Sequence, residues 1–95
     1  MRVSSLYKAP KGLIRINAEI EDNVIVDIKI TGDFFMLPED SVEFLEKHLR
    51  GVELEQSFLE NAMESFYAIG IVTPAITKED FVNAVLGVKN ASQTN

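Results

Sequence analysis

Two stretches alternate between apolar and polar side chains, the signature of strands with one buried face. In "LIRINAEI" the apolar phase is Ile14, Ile16, Ala18 and Ile20; in "VIVDIKIT" it is Val24, Val26, Ile28 and Ile30. A two-residue loop at Asp22-Asn23 sets Ala18 against Asp27 and mixes charge into the apolar face. A three-residue loop, Glu21-Asp22-Asn23, pairs Ile20 with Val24, Ala18 with Val26, Ile16 with Ile28 and Ile14 with Ile30, so the three-residue loop is expected. On the other face this register opposes Arg15 to Lys29, Asn17 to Asp27 and Leu13 to Thr31. Upstream, "RVSSLYK" reads as a first strand that turns through "APKG", where Pro10 and Gly12 suit a turn. The result is a three-stranded antiparallel meander with one face in need of cover.

Helical spacing supplies the cover. A first helix is expected from about Pro38, with Glu39 and Asp40 in its first turn, an apolar stripe of Val42, Leu45 and Leu49, and a stop at Gly51. A second runs from about Leu54 to Ile69, with Leu54, Phe58, Leu59, Ala62, Phe66 and Ile69 as its stripe and Gly70 at its end. A third begins at Thr77, where "TKED" resembles a capping box with Asp80 in the usual glutamate position, and continues through Phe81, Val82, Val85 and Leu86 to Gly87. The fold class is α+β, a three-stranded antiparallel meander followed by three helices packed on one face. One domain is expected over residues 1–88, with a polar tail over 89–95.

Composition narrows the function classes. The 95 residues contain no cysteine, which removes disulfides, thiolate metal sites and a cysteine nucleophile. No apolar run reaches the ~20 residues of a membrane span, and "MRVSSLYK" lacks the apolar core of a signal peptide, so a cytoplasmic location is expected. The net charge of −6 falls wholly in residues 36–95, since basic and acidic groups balance over residues 1–35. An acidic half repels a nucleic-acid backbone and argues against that partner.

Little catalytic chemistry is visible. The single histidine, His48, sits where a cation suits the end of the first helix, and with no second histidine or any cysteine a metal site is not expected. Glu39, Asp40, Glu43 and Glu46 cluster on the first helix, on a face expected to be solvated. No serine has a base at a sensible position, and "PKG" lacks the glycine pattern of a phosphate loop. No catalytic residue is assigned.

Two features remain. One is the basic turn and strand from Lys8 through Lys11 and Gly12 to Arg15, with Lys29 on the neighbouring strand. The other is "GDFF", Gly32 to Phe35, where a strand hands over to a helix. Adjacent side chains on a regular strand point to opposite faces, so two neighbouring phenylalanines enter one core only if the backbone kinks. Either a kink at Gly32 turns both rings inward, with Asp33 bracing the turn, or one ring and Asp33 serve a partner. Arg15 and Lys29 likewise read either as solvated charge or as a partner-facing patch.

Together these pieces resemble the small C-terminal domain of lipoate–protein ligases, and most closely its free-standing form, the accessory subunit of a two-part ligase. "YKAPKGLIRI" is similar to the family's Lys-x-Pro-x-Gly turn and strand; "ITGDFFMLPED", the helix ending "LRG" and "ITKEDFVNAVLG" follow in the family's order and spacing. Many relatives carry a Gly-Lys or Gly-Gly-Lys where this chain has Lys11-Gly12-Leu13. The resemblance implies a non-catalytic subunit that docks on a separate catalytic subunit as a heterodimer and is needed for ATP-dependent activation of lipoate to lipoyl-AMP in protein lipoylation. ATP, magnesium and lipoate are then held by the partner, and Lys8, Lys11, Gly12, Arg15, Lys29, Asp33, Phe34 and Phe35 are the residues expected to face it or complete its site. A small interaction module for another enzyme, or for itself, is the alternative. A carboxylate-based hydrolase is a third and weaker one.

Overall fold

The protein is described by a computed structural model covering residues 1–91. Strands β1 (Arg2–Ala9), β2 (Gly12–Glu21) and β3 (Val24–Gly32) form one antiparallel sheet in the order β1-β2-β3, followed by helices α1 (Ser41–Leu49), α2 (Gln56–Ala68) and α3 (Lys78–Ala91). Helix α3 lies on β1 and β2, α1 lies on β3, and α2 packs on both helices. All three helices therefore serve one face of the sheet, as the alternation requires. The core between the layers includes Ile14, Ile16, Ile25, Phe66 and Phe81, all completely buried.

The hairpin register differs from the expected one. Asp22 and Asn23 alone form the β2–β3 turn, both with positive φ (51° and 65°), the pattern of a two-residue hairpin turn. A bulge repairs the register: Glu19 pairs with Asp27 and Ile20 with Ile25, leaving Val26 as the extra residue, bent outward and 49% exposed. Beyond the bulge Ala18 faces Ile28, Ile16 faces Ile30 and Ile14 faces Gly32. The pairing has slid by two residues from expectation. Beyond the bulge the even slide keeps Ile28 and Ile30 on the covered face with new cross-strand neighbours. Before it the phase flips, and Ile25, not the expected Val24 and Val26, is the fully buried residue. Arg15 consequently opposes Thr31, and Lys29 opposes Asn17, not each other.

Helix α1 begins at Ser41, not Pro38, because Leu37 is held in a two-way backbone bridge to Val72 and residues 38–40 form the turn that leaves it. Gly51 (φ 86°) and Gly70 (φ 99°) do follow the ends of α1 and α2, in the left-handed conformation that glycine adopts most readily. Gly87 does not stop α3, which continues to Ala91 with Val88 buried against the core. The α3 start is as expected: the Thr77 N–H donates to Asp80 Oδ2 (2.9 Å) and the Asp80 N–H donates to Thr77 Oγ1 (3.1 Å). The expected stripe of α2 is narrower than read, since Phe58 and Ile69 are exposed and Leu59, Met63 and Phe66 enter the core. The expected tail over 89–95 lies, from residue 92 on, outside the described residues.

One acidic residue is not on the solvent face assigned to it. Glu46 is 5% exposed, and its Oε2 accepts the Ile30 N–H at 2.8 Å. It blocks the open edge of β3, where residues 51–54 also pair: Ile25 donates to Val52, Gly51 to Ile25 and Leu54 to Asn23. Covering an exposed strand edge in this way prevents unwanted pairing.

Candidate partner-facing site

The two features singled out in the sequence meet at one corner of the molecule. The β1–β2 turn brings Gly12 under the exit of β3, and the Asp33 N–H donates to the Leu13 carbonyl at 3.0 Å. A Cβ on Gly12 would lie 2.7 Å from the Asp33 carbonyl oxygen, and one on Gly32 would lie 2.1 Å from the Leu13 carbonyl oxygen. Both glycines are therefore required by close backbone approach, an unambiguous role that sequence spacing alone does not show.

At this corner the two phenylalanines part. Phe34 turns inward, packs against the core with only a minor part of its surface exposed, and meets the fully buried Phe81 edge-on, with ring centroids 5.5 Å apart and planes at 90°. Phe35 turns outward and is 78% exposed. Asp33 is exposed, and its carboxylate makes no hydrogen bond or ion pair among the described residues; it braces the turn through its backbone, not its side chain.

The uncovered face of the sheet begins beside this corner. Strand alternation and register place on it the rows Lys8–Leu13, Leu6–Arg15–Thr31, Ser4–Asn17–Lys29 and Arg2–Glu19–Asp27. A shallow depression of about 270 Å³ is lined by Leu6, Leu13, Arg15, Thr31, Gly32 and Asp33, and a second of about 290 Å³ by Ser4, Ser5, Leu6 and Arg15. Leu6, 53% exposed, was not among the residues read as functional. Its signal was present: it is an apolar residue in the polar phase of "RVSSLYK".

Charge divides this face into two ends. At the far end Glu19 and Asp27 are neutralised: Arg2 reaches both, Arg50 pairs with Asp27 at 3.1 Å, and the terminal ammonium bonds Glu19 and Glu21. The hydrogen bond from that ammonium holds the Glu19 carboxyl below the usual carboxylate range, and the ammonium is raised in turn by its bonds to Glu19 and Glu21. Toward the glycine corner the cations stand alone. Lys8, Lys11, Arg15 and Lys29 make no ion pair or side-chain hydrogen bond among the described residues; of the remaining five cations Arg2, Arg50, Lys78 and Lys89 are paired, and Lys47 on α1 is not. Lys8, Arg15, Gly12 and Asp33 are brought together; Lys29 lies one row further along, and Lys11 occupies the turn itself.

Among the described residues no three His, Asp or Glu side chains gather as a metal site, and no helix is long and apolar enough to cross a membrane. The polar cluster at the start of α3 is structural. Tyr67 Oη lies 2.7 Å from Thr73 Oγ1, which donates to the Ile76 carbonyl at 2.8 Å, and Tyr7 Oη donates to Asp80 at 3.2 Å. Burial raises the Tyr67 phenol above its ordinary value.

An uncovered basic sheet face thus lies beside a Gly-Asp-Phe-Phe corner. A family model described as "Bacterial lipoate protein ligase C-terminus" matches residues 2–85. The chain belongs to that family. Among its relatives is "Lipoate-protein ligase A subunit 2" of Thermoplasma acidophilum, 45% identical over 85 residues that span 90% of this chain and 88% of the relative. A solved structure from a study of an archaeal lipoylation system, a bi-partite lipoate protein ligase and its E2 lipoyl domain from the same organism, superposes with a TM-score of 0.82 at 45% identity. The superposition covers 90% of this chain and 94% of that one. This member of the ligase C-terminal family thus corresponds to nearly the whole of the Thermoplasma acidophilum subunit.

Proposed function

We propose that this chain is the accessory subunit of a two-part lipoate–protein ligase, docking on a separate catalytic subunit to form a heterodimer required for ATP-dependent activation of lipoate to lipoyl-AMP. The near end-to-end correspondence with a free-standing ligase subunit 2 supports the reading. The observation that carries the mode of action is the unpaired basic face: Lys8, Lys11, Arg15 and Lys29 stand uncompensated in a chain whose net charge is −6. Cations without internal partners cost nothing in desolvation until a partner covers them, and they then interact strongly with negative charge in the enclosed site.

On this reading ATP, magnesium and lipoate are held by the catalytic subunit, in the cytoplasm. Phe35 and Asp33 meet that subunit, while Phe34 keeps the corner rigid from inside. Gly12 and Gly32 let the turn and the strand exit lie close enough to present one continuous surface. A domain laid over the nucleotide excludes water from a reactive mixed anhydride and orders the loops around the phosphates. It contributes closure and charge; the reacting atoms lie elsewhere.

The test is lipoyl-adenylate formation by the catalytic subunit, measured alone, with this chain, and with its Arg15→Glu/Lys29→Glu variant. Stimulation by the native chain and its loss in a variant that remains folded are expected. Equal rates in all three reactions overturn the reading; equal stimulation by both chains removes the basic face from it.

A further inference from the structure

The two edges of the sheet are treated differently. The edge of β3 is occupied by Glu46 and by residues 51–54, as described above. The edge of β1 has no backbone hydrogen bond to any other segment among the described residues. Which groups it offers follows from the register. Met1 and Ile20 exchange both backbone bonds, each at 2.9 Å, so they form a hydrogen-bonded pair. Pairing runs on without a bulge through Val3↔Ala18, Ser5↔Ile16, Tyr7↔Ile14 and Ala9↔Gly12. Hydrogen-bonded and non-hydrogen-bonded pairs alternate in an antiparallel ladder, so Arg2, Ser4, Leu6 and Lys8 aim their N–H and C=O groups away from β2.

We infer that this edge receives an extended strand of the catalytic subunit, which adds to the sheet beside β1. The inference rests on the accessory-subunit reading and specifies how that partner binds. Main-chain bonds to four successive outward residues supply a ladder, and side chains beside them supply selectivity. The same four residues place their side chains on the uncovered basic face, where Leu6 lines both depressions. An added strand is therefore continuous with the surface already assigned to the partner.

Charge selects the occupant. β1 carries Arg2 and Lys8 and no acidic residue. Antiparallel pairing of two copies through this edge sets arginine and lysine of one against lysine and arginine of the other, between chains each of net charge −6. A second copy is disfavoured twice over. The fitting strand has an apolar residue beside Leu6 and an acidic one beside Lys8.

Ser4→Pro tests this in the full chain with the catalytic subunit encoded in the same genome. It deletes an outward N–H, breaks no bond to β2, and proline is tolerated on a strand edge. The thermal midpoint is expected to stay near that of the native chain while the Kd of the complex rises at least tenfold. Amide hydrogen exchange on the unmutated complex gives an independent reading should the variant fail to fold: the amides of Arg2, Ser4, Leu6 and Lys8 gain protection on binding. A complex that forms without protecting these amides, or binds folded Ser4→Pro at full affinity, overturns the strand addition and leaves the accessory function standing. Failure of the native chain to bind at all overturns both.

Discussion

The separation of Phe34 from Phe35 makes a paired prediction. Truncating a fully buried phenylalanine to alanine costs ~3–5 kcal/mol through lost burial and the cavity left behind. Phe34 is only partly exposed and packs against the core, so most of that applies, roughly 3 kcal/mol, including its edge-on contact with Phe81 at 5.5 Å. For a domain of this size each kcal/mol moves the thermal midpoint by about 4–8 °C, so Phe34→Ala is expected to melt ~12–24 °C earlier than the native chain. Phe35 is 78% exposed, and its truncation is expected to change stability by no more than ~0.5 kcal/mol. Melts followed by circular dichroism, at one pH and one protein concentration, measure both. Titration of each variant with the catalytic subunit then separates the roles: Phe35→Ala loses affinity while folded, and Phe34→Ala loses stability first. If Phe35→Ala melted as early as Phe34→Ala, or if Phe34→Ala melted with the native chain, the assignment of one ring inward and one outward would be refuted.

Three further outcomes follow from single sites. Gly87 lies within α3, and a Cβ there would rest 3.5 Å from Ser5 Oγ, an ordinary contact; Gly87→Ala should therefore raise stability by ~0.5–1 kcal/mol, read as a higher denaturation midpoint. Glu46→Ala leaves the Ile30 N–H without its acceptor at a buried edge and should cost ~1–3 kcal/mol in the same assay. The Glu19 carboxyl is held low by the terminal ammonium, so its contribution is present above the ordinary value of 4.5 and disappears as pH falls through the lowered folded value; the raised ammonium keeps its part below 8.0 and loses it as pH rises through its own folded value. Midpoints of the native chain and Glu19→Gln should thus differ near neutrality and converge toward both acid and alkali; a constant difference across the range would contradict the coupling.

Alternation found both strands, the buried face of β2, and Ile28 and Ile30 on β3, because the period of two survives an even slide of register. For the same reason it was blind to the slide that occurred. Across the bulge it chose Val24 and Val26 where Ile25 is the buried residue. The bulge at Val26 and the left-handed pair Asp22-Asn23 decide the pairing; the bulge's trace in the sequence is the unbroken apolar run Val24-Ile25-Val26, which a reading by strict alternation passes over. Glycine as a helix stop was legible at Gly51 and Gly70, whose φ is positive, and misleading at Gly87, where burial of Val88 carries the helix onward. Glu46 looked solvated because its partner, an N–H on the edge of β3, is distant in sequence. Of the site, the basic turn and the Asp-Phe-Phe exit were visible as two features; that Gly12 and Gly32 lock them into one corner depends on backbone approach that no spacing records.

The half-reactions of lipoylation separate the central claim from its alternatives. Lipoyl-adenylate formation from ATP and lipoate should depend on this chain and saturate at one copy per catalytic subunit, while transfer from supplied lipoyl-adenylate to a carrier domain should proceed without it. Adenylation at full rate in the absence of this chain would contradict the account.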